Sequence, residues 1–119
     1  MHRILIVDDE EEIRDELAEY LQRKGYETSC AADGLDAWKI LNVESIDAIV
    51  TDVKMPRFDG HALISLIRER DSDSPIIAMT GHYSEEDLDK LSMAGASLTI
   101  KKPIHLRSLV DSLQKLLAT

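Results

Sequence analysis

The sequence predicts an α/β protein whose parallel sheet is covered by helices on both faces. Two observations predict this class. Short apolar runs of strand length alternate along the chain with longer amphipathic stretches of helical spacing. Strands that alternate with helices must be joined by crossovers, and crossovers produce a parallel sheet with helices on either side. The 119 residues contain no linker, repeat or low-complexity segment, so residues 1–119 are expected to form one domain.

The first half of the chain contains three predicted strands and two predicted helices. The first amphipathic stretch begins with acidic residues, which the helix dipole favours at that end. Gly25 is suited to end this helix, and Asp33 is suited to cap the second. The strands are predicted at Ile4–Val7, Tyr26–Ala31 and Ile46–Thr51, and the helices have apolar stripes on Ile13, Leu17, Tyr20 and Leu21, and on Ala37, Ile40 and Leu41.

The second half adds two strands and three helices. A turn at Pro56 leads to a third helix, and Ser84 with Asp87 resembles a capping box for a fourth helix that Gly95 would end. The strands are predicted at Ile76–Met79 and Leu98–Ile100, and the apolar stripes lie on Leu63, Ile64 and Ile67, and on Leu106, Leu109, Val110, Leu113, Leu116 and Leu117. The prediction is a three-layer (βα)5 fold, a doubly wound sheet with the flavodoxin-like strand order 2-1-3-4-5.

Composition excludes several classes of function. A net charge of -9 argues against direct binding to nucleic acid, which usually requires a basic surface. No apolar run approaches the length of a membrane span, and the first residues do not resemble a signal peptide, so a cytoplasmic protein is expected. The single cysteine, Cys30, excludes an internal disulfide, and we predict it to be a small buried strand residue.

Polar residues of a particular kind follow four of the predicted strands. Asp8 and Asp9 follow the first strand, Asp52 the third, Thr80 the fourth and Lys102 the fifth. The carboxyl ends of parallel strands lie at one edge of the sheet, where ligands bind in the crevice. Oxygen ligands of this kind suit a divalent cation such as Mg²⁺, and an ammonium and a hydroxyl suit phosphoryl oxygens. An aspartate is also able to act as a nucleophile toward phosphorus.

This set of residues resembles the receiver domain of bacterial two-component response regulators, the CheY-like superfamily. Any one of its motifs would be weak evidence, but their order and their positions at strand ends make the set specific. The resemblance covers Ile4 to Leu117 and implies that residues 1–119 form a receiver domain. The supporting motifs are Ile6–Glu10, Asp52–Gly60, Gly95-Ala96 and Lys102-Pro103.

The resemblance implies a role for each acidic residue. Asp52 would accept a phosphoryl group from a phosphohistidine on a sensor histidine kinase or a phosphotransfer protein. Mg²⁺ (or Mn²⁺) would be bound directly by Asp9, largely through water by Asp8, and by Asp52. Lys54 would contribute only its backbone carbonyl to the metal.

The resemblance also implies how the phosphoryl group is held and used. Lys102 would pair with one phosphoryl oxygen, and Thr80 would move in to donate a hydrogen bond to another. The Lys102–Pro103 peptide is a candidate for the cis form. Such a protein is not a metabolic enzyme, although it catalyses its own phosphorylation and dephosphorylation. It would signal to a protein target or a linked output domain, and helix 4, strand 5 and helix 5 are a possible homodimer surface.

Three positions bear on how such a switch is tuned. Thr99 stands where the family usually has Tyr or Phe, and a small side chain does not report activation by burying a large ring. The route from the phosphorylation site to a partner surface is therefore open. Lys54 and His82 lie two residues after Asp52 and Thr80, where family side chains affect the lifetime of the phosphoryl group; ordinary loop residues are the alternative.

Other functions are compatible with parts of the sequence. One is a receiver-like interaction module whose output does not depend on phosphorylation. A second is a Mg²⁺-dependent phosphohydrolase, but phosphatases of the haloacid dehalogenase type need a second Asp where this chain has Lys54. A third is a flavin-binding module, but the acidic segment Asp8–Glu12 would repel a phosphate. Whether the chain is a whole regulator or part of a longer one stays open.

Overall fold

A computed structural model describes residues 1–81 and 84–118 of the chain. None of the helices in these ranges is long and apolar enough to cross a membrane. The strands are β1 (Arg3–Val7), β2 (Glu27–Ala31), β3 (Ala48–Asp52), β4 (Ile76–Thr80) and β5 (Leu98–Lys101). The helices are α1 (Glu11–Arg23), α2 (Gly34–Val43), α3 (Gly60–Arg70), α4 (Glu85–Ala94) and α5 (Leu106–Leu117).

The strands form one parallel sheet in the order β2-β1-β3-β4-β5, which confirms the predicted fold class and strand order. The register places Val7 opposite Thr51 and Asp52 opposite Met79. The carboxyl ends of β1, β3 and β4 are therefore level with one another.

The three inner strands β1, β3 and β4 each contribute side chains to two cores, one on either face of the sheet. In β1, Ile4 and Ile6 pack with α1 and α5, while Leu5 and Val7 pack with α2, α3 and α4. Successive side chains of a strand point to opposite faces, and a parallel sheet covered on both sides needs apolar residues at every position. Burial of each such side chain contributes about 1.5–3 kcal/mol, so the helices hold the central strands firmly.

Side-chain caps begin two of the helices as predicted, whereas each strand differs from its predicted bounds by one or two residues at one end or both. Asp33 accepts a hydrogen bond from the Asp36 amide at 2.9 Å, and Ser84 accepts one from the Asp87 amide at 3.1 Å. β2 begins at Glu27 rather than at Tyr26, because the Tyr26 amide still donates to a carbonyl at the end of α1. β3 similarly begins at Ala48, two residues later than predicted.

Cys30 is exposed, so the prediction that it is buried was wrong. It lies in β2, which forms one edge of the sheet. An edge strand is paired on one side only, and β2 has a single buried residue, Ala31. The predicted strand order already places β2 at this edge, but the prediction for Cys30 did not take that position into account.

Candidate phosphoacceptor site

The polar residues predicted at the strand ends lie at one edge of the sheet. Asp8 directly follows β1, Asp52 ends β3 and Thr80 ends β4. Lys102 directly follows β5, and its amide donates to the Thr80 carbonyl at 2.9 Å. Asp8, Asp52 and Thr80 are all buried, whereas Asp9 is exposed at the mouth of the site.

The ammonium of Lys102 is shared by two carboxylates from different strands. Its Nζ lies 3.2 Å from Asp52 Oδ2 and 3.5 Å from Asp8 Oδ2. The longer separation is an ion pair without hydrogen-bond geometry, and Asp8 Oδ2 is a buried oxygen with no hydrogen bond to any described residue. A buried carboxylate oxygen without a full partner is suited to bind a cation, since an unmet buried charge is costly.

The pKa values of the pair reflect this crowding. Burial raises the pKa of Asp52 above its ordinary value, against the attraction of Lys102, and the nearby Asp8 carboxylate raises it further. Burial alone would lower the pKa of Lys102, but the Asp52 and Asp8 carboxylates outweigh it and raise that pKa. The ammonium therefore stays charged at neutral pH, and the acidic residues repel one another unless a cation is added.

A cluster of three carboxylates lies beside this pair. Ligand oxygens of Asp8, Asp9 and Glu10 are all within 4.8 Å of one another. The Glu10 amide donates to Asp8 Oδ1 at 2.9 Å, and Arg14 Nη1 donates to the Asp8 carbonyl at 2.8 Å. The carboxylate oxygens of Asp8, Asp9 and Glu10 together fit a hard divalent cation such as Mg²⁺.

Glu10 is a member of this cluster that the sequence alone did not identify. Together with Glu11 and Glu12 it was expected to serve the first turn of a helix. α1 begins only at Glu11, and Glu10 precedes it with an extended backbone and no side-chain cap bond. The sequence alone does not show which of Glu10, Glu11 and Glu12 lies at the sheet edge. The residue at which α1 begins decides which carboxylates turn back toward that edge.

The remaining predicted residues lie around the same edge. Lys54 is exposed, and Thr99 is partly buried in β5, opposite Ala78 of β4. The Lys102–Pro103 peptide bond is cis. His82 lies outside the described residues.

A contact between two loops was also not predicted. Arg57, in the loop after β3, donates through Nε to Asp33 Oδ2 at 2.7 Å, and its Nη2 also contacts this oxygen. Asp33 was predicted only as a helix cap. The partners are 24 residues apart, so no local pattern indicates that they meet.

Comparisons with known proteins find similarity over almost the whole chain. Residues 4–114 match the family model for the response regulator receiver domain. The chain is 42% identical over 118 residues to the probable transcriptional regulator ycf27 of Cyanidium caldarium, which covers 98% of this chain and 46% of that protein. It is 35% identical over 115 residues to the response regulator MprA of Mycobacterium ulcerans, which covers 97% of this chain and 50% of that protein. The chain thus spans about half the length of these curated relatives.

A solved structure is similar over the whole chain. The response regulator TrrA of Thermotoga maritima, in complex with Mg(2+)-BeF, matches with a TM-score of 0.88 at 36% identity. The match covers 98% of this chain and 99% of that chain.

Proposed function

The chain belongs to the response regulator receiver domain family of two-component systems, and from this we propose that it is a phosphoaccepting switch with Asp52 as the acceptor. The observation that supports this most directly is the Lys102 ammonium, 3.2 Å from Asp52 Oδ2 at the sheet edge. Such an ammonium is placed to meet negative charge on a phosphoryl group at Asp52.

The proposed reaction needs little more than positioning and charge neutralisation. One Asp52 carboxylate oxygen forms a bond to phosphorus while the phosphorus–nitrogen bond of a partner's phosphohistidine breaks. The electron pair of that bond returns to the imidazole nitrogen. Asp52 Oδ1 accepts a hydrogen bond from the Val53 amide at 2.8 Å, which leaves Oδ2 on the side of Lys102. Lys102 and Thr80 then bind phosphoryl oxygens.

Metal binding belongs to the same proposal. Asp8, Asp9 and Asp52, with the backbone carbonyl of Lys54, would hold Mg²⁺ or Mn²⁺, and Glu10 adds a nearby carboxylate. When bound, the cation supplies positive charge that offsets the phosphoryl oxygens and the crowded carboxylates. The Mg(2+)-BeF complex of the relative TrrA supports this assignment.

The partners are proposed from the same family membership. The phosphoryl donor is a sensor histidine kinase or a phosphotransfer protein. Such donors present their phosphohistidine in the cytoplasm, and we propose that this protein acts there. The output is a protein target or a linked domain, as the greater length of the relatives suggests. α4, β5 and α5 form the proposed surface for a partner or a second copy. Thr99 is a partly buried residue of β5 and lies within that surface. The proposed conformational change therefore reaches the surface without an aromatic ring at this position.

The test is incubation with acetyl phosphate, with Mg²⁺ or with a chelator, followed by intact mass measurement. We expect one adduct of about 80 Da that requires Mg²⁺ and is absent in Asp52→Asn. Asp111→Asn, a change at an exposed position on α5, is the matched control and should be labelled normally.

An adduct that survives Asp52→Asn would disprove the acceptor assignment. No adduct on the wild-type protein would instead favour an interaction module whose output is independent of phosphorylation. In the same assay, the adduct lifetimes of Lys54→Ala and His82→Ala report whether those side chains tune loss of the phosphoryl group.

A further inference from the structure

We propose that Arg57 is a positioning residue, and that its ion pair with Asp33 holds the loop after the phosphoacceptor in the shape needed for cation binding. We call residues 53–60 the acceptor loop. The proposal rests on the proposed function, because it concerns the backbone next to Asp52. Arg57 would act through this backbone and would not touch the phosphoryl group.

The backbone of Arg57 is in an unfavourable region. Its φ is 66°, and no other non-glycine residue in the described part of the chain has a positive φ. A side chain in this left-handed region is strained and persists only where the surroundings compensate. Here the guanidinium of Arg57 binds Asp33, and this contact compensates for the backbone strain.

Asp33 is a rigid partner. Its side chain is only 7% exposed, and its two oxygens have separate tasks. Oδ1 accepts from the Asp36 amide at 2.9 Å and caps α2, while Oδ2 binds Arg57. Asp36 Oδ1 lies 3.6 Å from the same guanidinium and adds a second negative charge. Burial would raise the pKa of Asp33, but the hydrogen bonds from Asp36 and Arg57 keep it lowered, so the pair is charged at neutral pH.

A backbone contact reinforces this side-chain contact. The Gly34 amide, next to Asp33, donates to the Phe58 carbonyl, next to Arg57, at 2.9 Å. A Cβ on Gly34 would lie 2.2 Å from that carbonyl oxygen, so the two segments pack too closely for a side chain at this position. Residues 33–34 therefore bind the acceptor loop at two successive positions.

The acceptor loop passes this constraint on to the site. The Gly60 amide donates to the Val53 carbonyl at 2.8 Å, which closes the loop on itself. Lys54, whose carbonyl is the proposed metal ligand, lies inside this closed segment. A displacement at Arg57 must therefore change the path of the chain between Val53 and Gly60.

The test compares Mg²⁺ affinity by calorimetry in the wild type, Arg57→Gly and Asp33→Asn. Glycine adopts positive φ without strain but also has more backbone freedom, so Arg57→Gly removes the ion pair and leaves the shape of the acceptor loop less fixed. We expect both variants to bind Mg²⁺ about tenfold more weakly, as is usual when a residue that supports a metal ligand is lost. Hydrogen exchange at the amides of Gly34 and Gly60 should become faster. Glu19→Gln, which breaks the exposed pair of Glu19 with Arg23 on α1, is the matched control.

Two further measurements separate positioning from a general loss of stability. With acetyl phosphate, the Mg²⁺ concentration for half-maximal labelling should rise while the rate at saturating Mg²⁺ stays near that of the wild type. The double variant should be no worse than either single variant, since both remove one interaction. A merely structural role would lower the melting temperature without these effects.

The proposal is overturned if Arg57→Gly and Asp33→Asn bind Mg²⁺ within about twofold of the wild type, the usual scatter between independent sites. Wild-type protein that binds no Mg²⁺ would overturn it as well. Failure of the proposed function looks different. The wild type would then gain no adduct on Asp52, while the comparison of Mg²⁺ affinities would still decide the role of Arg57.

Discussion

Gly60 lies where the backbone of α3 meets the backbone of Asp52. A Cβ at this position would be 2.2 Å from the carbonyl oxygen of Asp52 and 2.8 Å from the Cα of Val53. Both atoms belong to the main chain and are fixed by the central strand, so a side chain has no flexible neighbour to displace.

We expect Gly60→Ala to destabilise the protein by about 2 kcal/mol or more and to slow labelling of Asp52. Chemical unfolding and the acetyl phosphate assay measure the two effects. Gly81→Ala is the control, because a Cβ there meets no atom of the described residues within 4 Å. Equal stability of the two variants would show that α3 is free to move away from Asp52.

The sequence predicted which side chains meet at the sheet edge where each directly follows a strand, and it did not predict the contacts that tertiary structure decides. Asp8, Asp52, Thr80 and Lys102 each follow an apolar run, and the structure brings them to one edge. Glu10 belongs to the same edge only because α1 begins one residue later.

At the scale of elements, the turn between α3 and β4 is organised by one carboxylate. Asp71 accepts hydrogen bonds from the Asp73 amide at 2.9 Å and the Ser74 amide at 3.1 Å, and it also binds the Ser74 hydroxyl. The Ser74 hydroxyl and then these two amides lower the pKa of Asp71. The charged form is therefore more favourable in the folded protein than in the unfolded chain.

We expect Asp71→Ala to lower the free energy of unfolding by about 1–2 kcal/mol at neutral pH. Because the folded pKa is lowered, this stabilisation is present above the unfolded value of about 3.9 and is lost as pH falls through the folded value. Urea unfolding at neutral pH and near pH 3 should thus show a gap that shrinks on acidification.

The neighbouring Asp73→Asn is the control for this pH effect. Asp73 is exposed, and its side chain contacts only the Ser72 hydroxyl, at 3.4 Å, among the contacts seen in the described residues. The control should show little change at either pH. A gap for Asp71→Ala that widens on acidification would mean that the carboxylate does not stabilise the turn in its charged form.

The order of elements was predictable because several helix boundaries have a local chemical cause. Asp33 and Ser84 cap helices through their own side chains, and Gly95 ends α4 with a φ of 122°. Strand beginnings were less certain, because hydrogen bonds to other segments set them. The Tyr26 amide is used by the end of α1, which moves the start of β2 by one residue.

At the scale of the whole molecule, Lys102 is the cation that joins β1 and β3 to the segment after β5. Lys102→Ala would leave the Asp8 and Asp52 carboxylates buried and facing one another. We expect the metal-free variant to lose about 2 kcal/mol of stability, because removal of one partner leaves uncompensated buried charge. Mg²⁺ should raise the melting temperature of the variant more than that of the wild type.

Thermal unfolding with and without Mg²⁺ measures this effect. Lys115→Ala, at an exposed position on α5, is the matched control and should follow the wild type in both conditions. An equal response of Lys102→Ala and the wild type to Mg²⁺ would show that the ammonium does not offset the carboxylates.

The shared ammonium has a mechanical consequence for the sheet. β1 and β5 are separated by three strand spacings in the order β2-β1-β3-β4-β5, which corresponds to roughly 14 Å. The ion pairs of Lys102 with Asp8 and Asp52 connect the end of β5 to β1 and β3 across this distance. β5 is an edge strand of the described sheet and pairs with β4. If Lys102 exchanged a carboxylate for a phosphoryl oxygen, its position relative to β1 and β3 would change, and the end of β5 would move with it. The outer strand would then sense the state of Asp52 directly through the main chain, whatever side chain occupies position 99.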